Sequence, residues 1–461
     1  MAVHPFDHQI LQRGFSTPEL LAVFEERTRL QRWLDVEAAL AASQAELGVI
    51  PGEAAEEIAA RAQLDRLDLT RLREEFARTR NSLVPLLRVL RASCAANYGE
   101  YVHFGATTQD VLDTAMVLEQ RDALALIYRD LRGLASVLAT LAERYRTTPM
   151  AGRTHGQQAL PITFGFKCAV WLAETNRHLD RVLAMAAQLR YGQLGGAVGS
   201  LAAFGERALA VADRTLGRLG LQRPPISWHT SRDTIGALAG LFVLLLGTCD
   251  KIAGEIFQLG KTEIGELAET APGRAMSSST MPHKNNPVLC QRIAVLAAQG
   301  RALNTTVQEA AAHEHERDPR RLWSEWLAMP QLAVYTGTAV HSCRDVLQQL
   351  TVDEGAMADN LHRHGELLLS EWLQFQLADH LGKMRAQEKL HALIRETTAG
   401  GDRLAELLQK DPEIAGLDID WQTLSHPERY LGQILPQIDA VLAETAARRH
   451  NDPKELFADG V

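Results

Sequence analysis

The chain has 461 residues, of which 46% are hydrophobic and 23% are charged, so a large core can be buried and bulk disorder is excluded. Its formal net charge is −9 at pH 7 without any basic run, which excludes a typical nucleic-acid-binding surface because phosphate neutralisation needs clustered Lys and Arg. At roughly 100–200 residues per domain, the length predicts two to four domains or one extended fold with subdomains.

Several features bear on the cellular compartment. The N-terminal residues lack a basic segment followed by an apolar one, so no secretory signal peptide is expected. The longest nearly uninterrupted apolar run covers residues 235–249, about 15 residues, which is short of the roughly 18–20 needed to span a bilayer. The five cysteines are scattered and lack a Cys-x-x-Cys spacing. We expect a cytoplasmic protein without membrane contact, disulfide framework or zinc site.

Proline-free stretches indicate where long helices can run, because a proline in a helix interior costs about 3 kcal/mol. Apolar residues at three- and four-residue spacings predict helices over residues 111–145, 164–191 and 235–269. The first half of the third helix is apolar on all sides, which is typical of a helix that is buried all round. Alternating strand patterns with hairpin turns are scarce, so the sequence predicts an all-α protein.

The turn signals and helix lengths suggest three domains. We predict an N-terminal helical domain over residues 1–110, a central long-helix bundle domain over residues 111–350 and a C-terminal helical domain over residues 351–461. A helix of about 30 residues spans roughly 45 Å. A single-chain bundle rarely needs a helix buried all round over that length, so these helices favour an oligomeric bundle.

Three polar segments interrupt the helical pattern. Residues 103–110 (HFGATTQD) precede a long helix, where Thr and Asp serve as N-caps and free backbone N–H groups can bind an anion. Residues 152–159 (GRTHGQQA) place a histidine among Gly, Thr and Gln, which suits a structural or a catalytic imidazole. Residues 271–287 form a polar loop whose Ser, Thr, Lys and Asn side chains suit carboxylate recognition and closure over a substrate, or else a plain linker.

The third segment contains a long and specific motif. Residues 278–287 read SSTMPHKNNP, which resembles the signature of the fumarase/aspartase superfamily. Two other family segments occur in the expected order, at residues 103–114 and 154–159. Three shorter matches extend the resemblance over nearly the whole chain: GGAVGS at 195–200, WHTSRD at 228–233 and PERYLG at 427–432. These three resemble the branch of 3-carboxy-cis,cis-muconate cycloisomerase and adenylosuccinate lyase.

The resemblance implies a three-domain, all-α subunit and a homotetramer. In such a tetramer the central domains pool their long helices into a 20-helix core, and each active site is built from three subunits. The implied reaction is a reversible anti β-elimination across a succinyl-type Cα–Cβ bond, usually with release of fumarate. The implied partner is therefore a small dicarboxylate or succinyl substrate. No metal and no organic cofactor is implied.

The resemblance also implies roles for individual residues. Ser278 matches the loop serine that acts as general base on the Cβ proton, and His155 matches the histidine that helps to protonate the leaving group. Proton removal leaves an aci-carboxylate, whose negative charge the site must stabilise. The expected substrate-binding residues are Thr107, Thr108, Thr154, Gln158, Lys284, Asn286, Arg317, Asn81 and Ser82.

Other positions bear on the leaving group. Gln291 stands seven residues after Lys284, where lyases of the family often carry a glutamate paired with the catalytic histidine. Trp323 and Trp326 stand in the region where adenylosuccinate lyases hold the nucleotide phosphate, so they suggest an apolar wall, and core packing would explain them equally well. Residues 80–85 (RNSLVP) resemble the cycloisomerase, whereas the retained Thr-His-Gly-Gln at 154–157 favours the lyases.

From these positions we predict a carbon–nitrogen lyase that acts on a succinyl/aspartate-type substrate and releases fumarate. The first alternative is a 3-carboxy-cis,cis-muconate cycloisomerase, which adds a carboxylate to a double bond within one molecule. The second alternative is adenylosuccinate lyase.

Overall fold

The computed structural model describes residues 4–270, 281, 283–400 and 402–457. Helices dominate these residues, which confirms the all-α prediction, and the strands form two short antiparallel pairs. The elements are, in chain order, α1 (Pro18–Phe24), α2 (Glu26–Glu46), α3 (Gly52–Arg61), α4 (Leu69–Thr79), α5 (Val84–Ser93), α6 (Thr108–Arg144), β1 (Pro149–Thr154), β2 (Gln157–Thr163), α7 (Phe164–Gln188), α8 (Ala208–Arg218), α9 (Asp233–Leu259), β3 (Leu267–Ala268), α10 (Val288–Ala310), α11 (Pro319–Gln348), β4 (Thr351–Val352), α12 (Glu354–Arg363), α13 (Ser370–Leu381), α14 (Lys383–Thr398), α15 (Leu404–Lys410), α16 (Trp421–Ser425) and α17 (Ile434–Asn451).

Five long helices, α6, α7, α9, α10 and α11, pack side by side around the largest hydrophobic cluster of the chain. Helix α6 has 37 residues and therefore spans about 55 Å. It begins after Thr107, which forms a reciprocal capping pair with Asp110. This is the N-cap that the polar segment before the helix predicts.

The long helices alternate in direction, so their ends gather in two places. We call one of them the arginine end; it is defined by Asp113 of α6, Arg232 just before α9 and Glu325 of α11, which bond to one another. The other is the hairpin end, defined by the pair β1–β2 before α7 and by the pair β3–β4, which follows α9 and α11. Helices α6, α9 and α11 run from the arginine end to the hairpin end, and α7 and α10 run back.

The hairpin β1–β2 was not expected from the sequence. Thr154 pairs with Gln157 around a two-residue turn formed by His155 and Gly156, whose φ angles are 52° and 74°. A tight hairpin turn of this kind requires left-handed backbone at both positions. The strand signal is weak because the alternation is interrupted by Pro161 and by a register shift between Ala151 and Arg153.

Helix α9 differs from its prediction in two ways. It ends at Leu259, where the sequence pattern extended the helix to residue 269, and the chain then turns to form β3. Its surface is also not buried on every side within one chain, because Leu244 is 52% exposed. By length and composition α9 could cross a membrane, but 56% of its most apolar window is buried inside the chain, as in the core helix of a soluble protein.

Two smaller hydrophobic clusters flank the central one. The first gathers buried residues between Leu34 and Val111, and the second gathers residues between Leu369 and Leu424. The last helix, α17, instead contributes Ile438 to the central cluster. The domain limits 1–110, 111–350 and 351–461 stay a prediction.

Candidate active site

A buried carboxylate holds the start of α6. Asp110 has no exposed surface, and its oxygens accept hydrogen bonds from the N–H groups of Gly195, Gly196 and Thr107 at 2.8, 2.9 and 3.0 Å. His229 Nε2 lies 2.9 Å from the same carboxylate. The first N–H groups of a helix have no partner inside that helix. This fixed helix start therefore suits an anion.

Arg317 reaches the same helix start from the segment between α10 and α11. Its Nε donates to Gln109 Oε1 at 3.0 Å, and its Nη2 donates to the carbonyl oxygen of Ala197 at 2.8 Å. Because Gln109 directly follows Thr108, the structure brings Arg317, Thr107 and Thr108 together. A guanidinium beside a helix N-terminus supplies both charge and N–H donors for a carboxylate.

A buried ion network continues from Gln109 into the protein. The Gln109 side-chain amide donates to Asp113 at 3.0 Å. Arg232, with no exposed side-chain surface, donates to Asp113 at 2.8 and 3.0 Å and to Glu325 at 3.0 and 2.5 Å. One guanidinium thus faces two buried carboxylates. Burial raises the pKa of Glu325 above its ordinary value, and the hydrogen bond from Arg232 only partly offsets that effect.

A cavity of about 720 Å³ opens beside this network. Its wall includes Ser82, Leu112, Glu325 and Trp326. Leu112 follows Thr108 by one helical turn on the same face of α6, about 6 Å along the helix axis. Ser82 and Trp326, both singled out in the sequence, therefore line one cavity that lies next to the start of α6.

Asn81 and Trp323, which the sequence also singled out, do not line this cavity. Asn81 is exposed, and its side-chain oxygen accepts hydrogen bonds from the N–H groups of Leu83 and Val84 at 3.1 and 3.0 Å, just ahead of α5. Trp323 is 56% exposed, which contradicts a core-packing role for it. Of the two tryptophans, Trp326 lines the cavity, and the apolar wall suggested for the substrate stays a prediction.

The hairpin β1–β2 carries a second group of predicted site residues. Thr154 and His155 are exposed at its tip, and Gln158 lies on β2 with a buried Oε1 that has no hydrogen-bond partner in the described part of the chain. Arg153 donates to Glu266 at 2.5 and 2.9 Å and so fixes the hairpin to the end of the bundle. The single chain thus presents His155 at its surface.

Lys284 and Asn286 precede α10, also at the hairpin end. Glu269, which follows β3, accepts hydrogen bonds from two N–H groups in the first turn of α10 at 2.9 and 3.0 Å. These contacts anchor the start of α10 next to β3. Ser278, the predicted base, lies outside the described residues.

One chain therefore places the predicted residues at both ends of the bundle. Thr107, Thr108 and Arg317 lie at the arginine end, whereas His155 and Lys284 lie at the hairpin end. The helices that join these ends, from the 23-residue α10 to the 37-residue α6, span about 35–55 Å. Within the described part of one chain, the two groups cannot contact the same small molecule.

Sequence reasoning gave Asp110 only a capping role and assigned no role to the other residues that hold the arginine end. All of them are buried: the amide Gln109 and the carboxylates Asp110 and Asp113 on α6, and Arg232 and Glu325 facing them. A usable signal was present, because carboxylates at the start of an apolar helix need partners when buried. The segment WHTSRD at residues 228–233 contains that partner, but only the fold shows that it meets α6.

The described residues contain no group of three or more His, Cys, Asp or Glu side chains that could hold a metal ion. All five cysteines are unpaired. Burial raises the pKa of the Cys168 and Cys290 thiols, which keeps them protonated and unreactive. Unpaired thiols fit a reducing compartment, and a cytoplasmic location stays a prediction.

Known proteins match the chain over nearly its whole length. The sequence model of a family described as lyase matches residues 12–300. The chain is 38% identical over 461 residues to the N-acetyl-S-(2-succino)cysteine lyase of Dickeya dadantii, covering 100% of both. It is 37% identical over 444 residues to the 3-carboxy-cis,cis-muconate cycloisomerase of Pseudomonas aeruginosa, covering 95% of this chain and 96% of that one. Proteins named adenylosuccinate lyase also match.

The fold itself matches a solved structure. The 3-carboxy-cis,cis-muconate lactonizing enzyme from Pseudomonas putida superposes with a TM-score of 0.89 at 35% identity, over 95% of this chain and 99% of that chain. The similarity therefore includes both the arginine end and the hairpin end.

Proposed function

Because the chain belongs to the fumarase/aspartase superfamily of lyases, in the branch of 3-carboxy-cis,cis-muconate cycloisomerase and adenylosuccinate lyase, we propose that it catalyses a reversible anti β-elimination that releases fumarate from a succinyl-type substrate. A base removes the Cβ proton, and the bond from Cα to the leaving group breaks. The leaving group departs with the electron pair and is protonated. The double bond of fumarate forms between Cα and Cβ.

The arrangement of Arg317 is the observation that carries this proposal. The guanidinium is held at the N-terminus of α6, next to Thr107 and Thr108. Fumarate and succinyl groups end in carboxylates, which bind best where a bidentate cation and unpaired N–H groups converge. We assign this end of the bundle to a substrate carboxylate, with Ser82 and the adjacent cavity on the side of the leaving group.

The proton transfers are assigned to Ser278 and to residues of the hairpin end. Ser278 is the proposed base, and Lys284 and Asn286, a few residues later in the sequence, are proposed to stabilise the charge that develops. A serine hydroxyl is a poor base in water, so it needs positive charge and hydrogen-bond donors at close range. His155, with Thr154 and Gln158 beside it, is proposed to assist the leaving group.

This assignment requires more than one copy of the chain. The carboxylate-binding end and the proton-transfer end are separated in a single chain by about 35 Å or more, the length of the 23-residue α10 that joins them, a distance that no small substrate bridges. We therefore propose a homotetramer in which each site combines the arginine end of one copy with hairpin-end segments of others. The exposed apolar side chains on the long helices support this: Val170, Leu244, Val295 and Leu327.

The proposed leaving group is a thiolate. The sequence predicted cleavage of a carbon–nitrogen bond, but a relative that is 38% identical over all 461 residues is named for a sulfur-linked succino group. Gln291 fits this choice, because a neutral amide gives a histidine acid no charge support. A thiolate, with an ordinary pKa of about 8.5, leaves with less help from an acid than an amine does. Carbon–nitrogen cleavage stays the competing prediction.

A specific similarity favours a second candidate. The chain is 37% identical over 444 residues to a 3-carboxy-cis,cis-muconate cycloisomerase, and its RNSLVP segment at 80–85 resembles that enzyme. The cycloisomerase reaction would use the same carboxylate-binding end but would form a lactone instead of releasing fumarate.

A substrate panel tests the proposal. Purified enzyme is incubated separately with N-acetyl-S-(2-succino)cysteine, an N-substituted aspartate, adenylosuccinate and 3-carboxymuconate, while fumarate and lactone are followed by chromatography. Fumarate and a free thiol from the first compound, at a rate at least tenfold above that with the others, are the expected result. Ser278→Ala should release no fumarate. Faster release from an aspartate derivative selects carbon–nitrogen cleavage, and lactone formation selects the cycloisomerase.

A further inference from the structure

Gln109 makes three hydrogen bonds at the arginine end while almost fully buried, with 1% of its surface exposed. Its Nε2 donates to Asp113 Oδ2 at 3.0 Å and to the carbonyl oxygen of His229 at 2.8 Å. Its Oε1 accepts from Arg317 Nε at 3.0 Å. Each polar atom of the amide therefore has a partner, and the three partners come from three different segments of the chain.

These partners permit only one orientation of the amide. A carboxylate and a carbonyl oxygen accept hydrogen bonds only, and a guanidinium donates only. A flipped amide would face two acceptors with its oxygen and a donor with its NH₂ group. Asp113 is held in turn by Arg232 at 2.8 and 3.0 Å. The buried ion network thus fixes the direction in which Gln109 presents its oxygen to Arg317.

The same contacts determine which part of Arg317 can meet a ligand. Of the five N–H groups of a guanidinium, Nε is taken by Gln109 and one on Nη2 by the carbonyl oxygen of Ala197. The remaining N–H groups, on Nη1 and Nη2, form the edge that a carboxylate engages in a bidentate pair. We infer that Gln109 is a positioning residue, which orients Arg317 for the substrate carboxylate without touching the substrate. This inference rests on the proposed function for the role of Arg317.

The charges around Gln109 explain why an amide stands there. Gln109 contacts Asp113 on its own helix and Arg317 on the α10–α11 connection. Asp113 is in turn paired with Arg232, which also holds Glu325. A carboxylate at position 109 would lie against Asp113 and would neutralise Arg317, whereas a substrate needs that positive charge. A glutamine holds Arg317 in this orientation without neutralising its positive charge.

The test uses Gln109→Met in the full-length assembled protein. Methionine keeps the length and most of the volume but makes none of the three hydrogen bonds. We expect kcat/KM for the preferred substrate to fall on the order of tenfold to hundredfold, mainly through KM, because a hydrogen bond to a charged group is lost. The dissociation constant of fumarate, measured by titration calorimetry, should rise by a similar factor.

A matched control and a double mutant separate positioning from general structural damage. Gln120 is fully buried on the same helix and has no hydrogen-bond partner in the described part of the chain, so Gln120→Met should leave KM within about twofold. In an Arg317→Ala background, Gln109→Met should add less than about twofold, because the two residues act through one contact.

The inference is overturned if Gln109→Met binds fumarate like the wild type, if Gln120→Met causes the same loss, or if the Gln109 and Arg317 effects multiply. Failure of the proposed function looks different. A wild-type protein that binds fumarate but eliminates none of the panel substrates rejects the proposed reaction, while the calorimetric comparison still decides the role of Gln109.

Discussion

Arg232 is the residue on which the arginine end depends most heavily. Its guanidinium pairs with Asp113 and Glu325, and none of the three side chains has exposed surface. Two carboxylates share one cation. Burial raises the pKa of Glu325, and the negative charge of Asp113 adds to that effect, while Arg232 opposes it. The network connects α6, α9 and α11 at the point from which Gln109 and Arg317 are oriented.

Removing the cation should lower the free energy of unfolding far more than removing the charge of one carboxylate. Arg232→Met leaves two buried carboxylates unpaired and should lower the free energy of unfolding by about 3–5 kcal/mol. Glu325→Gln keeps a polar partner for Arg232 and removes the excess negative charge. It should therefore lower the free energy of unfolding by only about 1 kcal/mol. Urea unfolding at one fixed protein concentration measures both. Equal losses for the two variants would show that the charge balance does not matter here.

His103 forms a second buried pair, just before α6. Its Nδ1 lies 2.7 Å from Glu37 Oε1 on α2, and its φ of 63° places it in the left-handed region. Burial disfavours the imidazolium, but the carboxylate of Glu37 outweighs burial and raises the pKa of His103 above its ordinary value of 6.5. This contact ties α2 to the segment that leads into the site.

This raised pKa predicts the sign of a pH effect. The stabilisation is fully present below pH 6.5 and is lost as the pH rises through the raised pKa of the folded state. Wild type should therefore exceed His103→Gln in free energy of unfolding by more at pH 5.5 than at pH 9. His178 supplies a control of opposite sign, since burial lowers its pKa to about 4 and its neutral form is the stable one. A difference between wild type and His103→Gln that grows with pH would contradict the account.

At the scale of elements, the sequence predicted the long helices well and the connections poorly. The helix predicted over residues 111–145 spans Thr108–Arg144, and that predicted over 164–191 spans Phe164–Gln188, because apolar periodicity persists along each. Helix α11 continues through Pro330, since packing on its neighbours compensates for one lost hydrogen bond. Helix α9 ends at Leu259, where Gly260 caps it, and the positive φ of 66° at Gly265 then lets the chain turn into β3.

Candidate site residues were also predictable where a local pattern marks them and were missed where distant segments meet. Local signals predicted the cap at Thr107, whereas the hairpin that presents His155 was missed because its turn is His-Gly, not one of the common Asn-Gly or Asp-Gly pairs. The contacts of Gln109 and Arg232 join segments about 120 residues apart in the chain, so no local pattern encodes them.

The exposed Leu244 on α9 predicts where copies meet. Leu244 is 52% exposed in the middle of the bundle, and Leu209 is 56% exposed on α8, outside the five long helices. Leu244→Glu should lower the mass in light scattering from about four times 50.8 kDa and abolish activity, with helical circular dichroism retained. Leu209→Glu should change neither mass nor activity. A wild-type monomer, or an unchanged mass for Leu244→Glu, would contradict the assembly.

At the scale of the whole molecule, the net charge and the length of the bundle both bear on how a site for an anion can form. A chain with a net charge of −9 does not attract dicarboxylates, so the positive potential must come from Arg317, Lys284 and the α6 N-terminus. The bundle separates Lys284 from Arg317 by about the 35 Å length of α10, and assembly would reunite them. Part of the 46% apolar content is then surface that is buried only between copies.

The most direct test of this account is complementation between two inactive variants. Arg317→Ala disables the arginine end, and His155→Ala disables the hairpin end. The two proteins are mixed, partly dissociated and reassembled, and mass spectrometry with one isotope-labelled partner verifies that mixed assemblies form. Because each site would draw these residues from different chains, some mixed sites are intact, and the mixture should release fumarate far faster than the sum of its components. Mixed assemblies that remain as inactive as either variant would show that the site is not shared.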